Sequence, residues 1–296
     1  MSPVRSCRPT FLRSAVFLGA IVACGAWLRC WHIGGQLLLD DEWHALNFVQ
    51  GKDLFSVLVG QGLGANSIPV NIWTWILMNT SGWSEILLRL PSLVVGIASI
   101  AVIPLLVRRL LPGFAWQLVA AAMAISPVLT FYSRVARPYA PAALLGGASV
   151  LLAGIWLRER KQRHLYLAAA AGALAVWWHL YSLVPVGTAL AVAALLACLG
   201  DARAEKVPFL RVAVRLWRPA LLFAVPVLVL VGIPNAIDPW WLSAFKAGER
   251  ASLETLWGVV EIVFGTSSTV LRLLCLAFFF RGWVAIRASD RDLFAL

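Results

Sequence analysis

Charge is what this sequence has least of. Only 13% of its 296 residues are Asp, Glu, Lys or Arg, and the 14 acidic ones are outnumbered by 25 basic ones. With 61% hydrophobic residues and a mean hydropathy of +0.82, the chain is too apolar for a single water-soluble core. Its solvent is lipid. Paired cysteines are also missing. Cys7, Cys24, Cys30, Cys198 and Cys275 show no paired spacing and three lie deep in apolar runs, which excludes a disulfide framework and a zinc site and makes them small apolar residues. A net charge of +11 would suggest nucleic acid in a soluble protein. Here the basic residues sit in short clusters between apolar runs, so they report topology and no nucleic-acid partner is expected.

What is abundant is uncharged length. Stretches able to cross ~30 Å of hydrocarbon run over 14–28, with Arg29 snorkelling, and over 90–107, 110–133, 138–157 and 219–237. Residues 164–200 are uncharged for about twice one crossing, and His179-Leu180-Tyr181-Ser182 with Pro185 supplies a polar, breakable middle, so a helical hairpin is expected. A weaker last span runs over 261–286 and must accommodate Arg272. The expected fold is an all-α polytopic bundle of about eight spans, forming one module over 1–296. Arg5, Arg8 and Arg13 ahead of the first apolar run resemble a signal peptide, and Val22-Ala23-Cys24 faintly resembles a lipoprotein cleavage site. The apolar run continues to Trp31 and further spans follow, which favours an uncleaved anchor. A cytoplasmic N-terminus puts most of the 25 Lys and Arg inside, as the positive-inside bias requires. The first outer loop is then 32–85 and the second 238–261. Within the first, Gly60, Gly62, Gly64 and Pro69 break the uncharged segment 54–84. With Trp73, Trp75 and Trp83, its apolar part reads as an interfacial helix on the outer leaflet.

Polar groups gather at the outer ends of the spans. Asp40-Asp41-Glu42 follows the first span directly. One reading is a helix N-terminus, with Asp40 or Asp41 as cap and Glu42 at the positive dipole end; the other is catalytic. Tyr132-Ser133-Arg134-Val135-Ala136-Arg137-Pro138-Tyr139 sets two arginines on the side that should be poor in them. They read either as snorkelling residues before a helix opened by proline, or as a guanidinium pair on one helical face, holding a phosphate. Convergence of the first and third spans would bring these acids and arginines to a common cavity. Trp177-Trp178-His179-Leu180-Tyr181 reads first as an aromatic anchor. His44 and His179 are the residues that would join a carboxylate at a divalent cation, but no fixed spacing supports such a site and no metal ligands are assigned.

Taken in order, the Asp-Glu pair after the first span, the interfacial segment with a proline, Ser84-Glu85-Ile86-Leu87-Leu88-Arg89-Leu90-Pro91-Ser92, Ser126-Pro127 and Ser133-Arg134-Val135-Ala136-Arg137-Pro138-Tyr139 resemble the GT-C membrane glycosyltransferases. The nearest group is similar to protein O-mannosyltransferases and lipid A aminoarabinose transferases, glycosyltransferase family 39-like. The resemblance covers about 12–200. It implies inverting transfer of a sugar from a polyprenyl-phosphate carrier to a lipid, glycan or protein acceptor, on the outward face of a bacterial inner membrane. It implies Asp41 as general base, with Asp40 as rival because the chain has one acid more than the family pair. Glu42 would position the acceptor or a cation. Arg137, with Arg134 and Tyr139, would serve the donor phosphate, with Lys52 a weaker candidate; Glu85 and Arg89 would tie the interfacial segment to the second span. The chain departs from the family in having Ile68-Pro69 where a proline pair is usual, and in stopping at Leu296 where most members continue for several spans. A shortened product, or a variant using a partner for the acceptor, is therefore expected, with Lys246 and Arg250 as further phosphate candidates. Two other classes stay open. A transporter would want ionisable groups near mid-membrane, whereas the charges gather at one face. A non-catalytic subunit would fit a shortened chain.

Overall fold

The computed structural model describes residues 8–60, 67–80, 82–112, 115–237, 257 and 268–289. Among them every regular element is helical and there is no strand. The elements used below are α1 (Arg8–Cys30), α2 (Asp40–Val49), α3 (Leu54–Val59), α4 (Ile68–Asn79), α5 (Glu85–Leu110), α6 (Trp116–Ile125), α7 (Pro127–Ser133), α8 (Tyr139–Glu159), α9 (Gln162–Trp178) and α10 (Leu183–Glu205). A continuous helical span over Phe209–Ile237 and a last helix over Thr269–Ser289 follow.

Five helical segments are long and apolar enough to cross a membrane: Ser14–Gly35, Glu85–Leu110, Tyr139–Glu159, Leu180–Glu205 and Phe209–Ile237. A sixth is the pair α6 and α7, if one span bent by 61° is counted. Each of the eight expected spans has helix within it. However, α9 has 17 residues, about 26 Å at 1.5 Å per residue, and the last helix carries Arg272, Arg281 and Arg287. The expected second outer loop, with Lys246 and Arg250, lies outside the described residues apart from Trp257, as does the start of the last expected span.

Helix ends follow from their capping residues. Ser84 opens α5 by accepting from the Leu87 N–H at 3.3 Å, and Glu85 occupies the first turn while Arg108 and Arg109 close the last. Ser126 accepts from Leu129 N–H at 3.3 Å with Pro127 opening α7, so the same dipeptide ends α6 and starts the next helix. The central helices meet through small residues. At Gly172 a side chain would come within 2.7 Å of Val186 and 2.9 Å of the Ser149 hydroxyl, and Ser149 Oγ donates to the Ala168 carbonyl at 2.7 Å. This is the close backbone approach by which helices associate where water supplies no hydrophobic drive. At the bundle end away from α2, Arg109–Glu159, Arg160–Asp201 and Arg215–Glu205 ion pairs, at 2.7, 3.4 and 2.6 Å, link α5 to α8, the end of α8 to α10, and α10 to the span after it.

Among the described residues between α1 and α5 stand a 3-10 turn over Ile33–Gly35 and three short α-helices, none long enough to span. α4 packs against α2 and α3, with Ile68, Val70 and Leu77 buried, and Trp73 Nε1 donates to the Leu87 carbonyl at 2.8 Å. Leu46, Leu77, Leu88 and Ala136 form the core that joins this cap to the bundle.

Arg29 corrects an expectation. It does not snorkel: it is fully buried at the end of α1, donating to Met123 O (2.9 Å), Ala124 O (3.0 Å), Gly25 O (3.1 Å) and Ser133 Oγ (3.2 Å). The break at Ser126-Pro127 leaves the last carbonyls of α6 without helical partners, and a cation at a helix C-terminus satisfies them.

Candidate functional site

The first turn of α2 carries three carboxylates with three different surroundings. Glu42 is buried and its two oxygens accept four hydrogen bonds. Oε1 takes Arg89 Nε at 2.9 Å and the Ala136 N–H at 2.7 Å; Oε2 takes Arg89 Nη2 at 2.8 Å and the Leu39 N–H at 2.9 Å. Arg89 is fully buried as well, and its remaining donors reach the carbonyls of Gln36 (2.8 Å), Leu37 (3.0 Å) and Ile33 (3.5 Å). One bidentate pair therefore joins the loop after α1, the start of α2, α5 and the segment leading into α8. Glu42 has no lone pair left for an acceptor or a cation. Arg89 ties the loop after α1 and the start of α2 to the second span, and not the interfacial segment as expected; Trp73 joins that segment to α5 through the Leu87 carbonyl. The capping residue of α2 is also not Asp40 or Asp41: Leu39 occupies the cap, and Glu42 reaches back to its N–H.

Asp41 points the other way. Its side chain is 58% exposed, and its Oδ2 lies 3.9 Å from Nη2 of Arg137, which is only 6% exposed; Arg137 Nη1 also donates to the Asp41 carbonyl at 3.2 Å. Asp40 is exposed beside it. Arg137 sits in an irregular segment because Pro138 disfavours helix at the residue before it. The Arg137 N–H turns back to Val135 O at 2.7 Å and Ser92 Oγ donates to the Arg137 carbonyl at 2.8 Å, which fixes the bend.

That bend separates the two arginines. The helical turn ends at Ser133, so Arg134 and Arg137 do not share a face, contrary to the paired reading. Arg137 lies beside Asp41, its guanidinium carbon 5.7 Å from the Tyr139 ring. Arg134 instead lines an open groove of about 710 Å³ between the end of α1 and the α6–α7 elbow. Lys52 lies past the far end of α2, a helix about 15 Å long by its rise, and its ammonium stands 3.5 Å over the Phe48 ring; it does not join the cluster.

From Arg137 an aromatic row leads to the tip between α9 and α10. Tyr139 meets Tyr132 at 4.8 Å and His179 at 5.4 Å between ring centres, and His179 meets Tyr181 at 5.4 Å. Tyr139, His179, Tyr181 and Ser182 rim a groove of about 460 Å³ whose wall is Ala142, Ala143, Gly146 and Gly147 of α8. Burial, and then the charge of Arg137, hold the His179 imidazole below its ordinary range.

No family model, curated protein or solved structure matches this chain. Among the described residues no three His, Cys, Asp or Glu side chains gather as metal ligands, and His44 and His179 belong to no such group. What the structure brings together is an exposed carboxylate, a buried guanidinium and an aromatic-rimmed groove. Ser92 and Ser133, which stand in the motif blocks without a role of their own, hold the Arg137 carbonyl and the Arg29 guanidinium.

Proposed function

We propose that this chain is a GT-C-type membrane glycosyltransferase, with eight spans in a bacterial inner membrane and its α2 end facing outward. It moves a sugar from a polyprenyl-phosphate carrier to a lipid, glycan or protein acceptor of the cell envelope. The observation that carries this reading is the Asp41 carboxylate, open to solvent and 3.9 Å from the buried Arg137 guanidinium. The distribution of basic residues supports the orientation, and the five helices long and apolar enough to cross, or six with the bent pair, support a polytopic chain.

In the reaction Asp41 takes the proton of the acceptor hydroxyl as its oxygen attacks the anomeric carbon. The bond from that carbon to the phosphate oxygen breaks, its electron pair leaves with the phosphate, and a single displacement inverts the centre. A positioned general base contributes about 10²–10⁴-fold. Arg137 offsets the charge that grows on the departing lipid phosphate, in a buried setting where a fixed guanidinium is worth more than in water. Glu42 and Arg89 act as positioning residues: Glu42 accepts the Ala136 N–H next to Arg137, and Arg89 holds the Glu42 carboxylate in place. Arg134 and Lys52 stand outside this catalytic set.

The test is mass spectrometry of prenyl-phosphate sugars and envelope glycans in cells with and without the gene for this chain. Accumulation of one lipid-linked sugar together with loss of one glycan is expected and names both substrates. An unchanged profile of both refutes the reading.

A further inference from the structure

His179 is the one group of the aromatic row that can gain positive charge near neutral pH, and the transfer described above gives it no task. It stands where α9 ends, with its backbone extended at φ −151° and ψ 110°, on the rim of the groove of about 460 Å³ beside Tyr139. Its ring lies 5.4 Å from the Tyr139 ring, and the Arg137 guanidinium carbon lies 5.7 Å from that same ring. The imidazole is half-buried, yet its nitrogens have no hydrogen-bonding partner among the described residues. The groups that face it are Arg137 ahead of α8, Tyr139 at the start of α8, Tyr132 of α7 and Tyr181 of the turn after α9. Neither α4 nor the first turns of α10, which pack against this tip, carry a titratable side chain. Burial, and then the charge of Arg137, keep the ring neutral.

We infer, on the footing of the transfer proposed above, that His179 takes up a proton against the phosphate of the lipid product and gives it back when that product leaves. The donor is a phosphate diester with one negative charge, which Arg137 offsets. Breaking the bond from the anomeric carbon to the phosphate oxygen leaves a monoester, which carries about −1.5 to −2 charge at pH 7. The acceptor's proton passes meanwhile to Asp41, whose exposed carboxylate returns it to solvent. The centre then holds one negative charge more than before, and an uncompensated charge beside half-buried groups is costly. A proton on His179 removes that excess. One proton leaves through Asp41, one enters at His179, and no electrons change hands. None of the other groups that face the ring supplies this charge, because a tyrosine becomes negative when it titrates and an arginine is charged already. The dianion also offsets the Arg137 charge that keeps the ring neutral, so uptake follows from the arrival of the second negative charge. Loss of the same proton frees the monoester for the next donor.

The experiment is isothermal titration calorimetry of the full chain in detergent with farnesyl phosphate at about pH 8, where a monoester whose second pKa is about 6 is a dianion. Repeating it in two buffers of unlike ionisation enthalpy counts the protons taken up. The unaltered chain is expected to take up at least about half a proton per farnesyl phosphate bound, and none with the methyl ester of farnesyl phosphate, which carries a single charge. His179→Gln should bring the uptake close to zero and weaken farnesyl phosphate about tenfold, the loss of one charge-assisted hydrogen bond, while binding the methyl ester as the unaltered chain does. Binding of farnesyl phosphate by the unaltered chain without proton uptake overturns the role of His179 and leaves the transfer standing, and it needs no variant to fold. Equal uptake by His179→Gln overturns that role as well. No binding of farnesyl phosphate by the unaltered chain overturns both the role and the transfer.

Discussion

Replacing Glu42 by Gln preserves the side chain's shape and removes its charge. The carboxylate accepts four hydrogen bonds, two from Arg89 and one each from the backbone N–H groups of Leu39 and Ala136. The amide oxygen can keep at most two of these, and the new NH₂ is forced against groups that are themselves donors. Arg89, 0% exposed, is left without its counter-charge. Breaking one side of a buried pair costs about 3–5 kcal/mol, so Glu42→Gln should lower stability by that amount in detergent, followed by tryptophan fluorescence during denaturation. Removing both charges, as Glu42→Leu with Arg89→Met, should cost much less than the sum of the single changes, because no buried charge is stranded. A Glu42→Gln chain within about 1 kcal/mol of the unaltered one would refute the reasoning, since it would mean that the pair is neither dry nor required.

Other outcomes follow from close approaches and from titration. Gly96→Ala would set its Cβ 2.0 Å from Ser133 Oγ, so overpacking of about 1–3 kcal/mol is expected, read as a lower unfolding midpoint. Arg29→Ala should leave the carbonyls of Met123 and Ala124 without partners and loosen the α6–α7 elbow, seen as faster amide hydrogen exchange over residues 123–133. His179 is held below its ordinary pKa, so the folded chain binds its proton less readily than the unfolded one. Stability should therefore fall as pH drops from near 6.5 to the folded value, and His179→Gln should remove that slope.

The spans were legible because charge is so scarce that uncharged runs mark them directly, as at α5 and α8. The short caps were less so: the turn residues of 60–69 announced a break but not that α4 would pack under α2. The acids and arginines were recognisable as a group, yet their pairing was not. Glu85 and Arg89 stand four apart, the spacing of a helical ion pair, whereas Arg89 reaches Glu42, 47 positions away. Nothing in local spacing encodes such a contact. The splitting of Arg134 from Arg137 was readable, because proline at 138 disfavours helix at 137. Arg29 looked like a snorkelling residue by its place at a span end, and only the broken third span explains why it turns inward.

The most direct test of Asp41 as general base is transfer from a lipid-linked sugar by membranes carrying the full chain with Asp41→Asn. Asp41 is itself exposed, and Arg137 keeps its hydrogen bond to the Asp41 backbone carbonyl, so insertion should stay normal and the unfolding midpoint fall only slightly while transfer falls by about 10²–10⁴-fold. Full transfer by Asp41→Asn at normal expression would contradict the account.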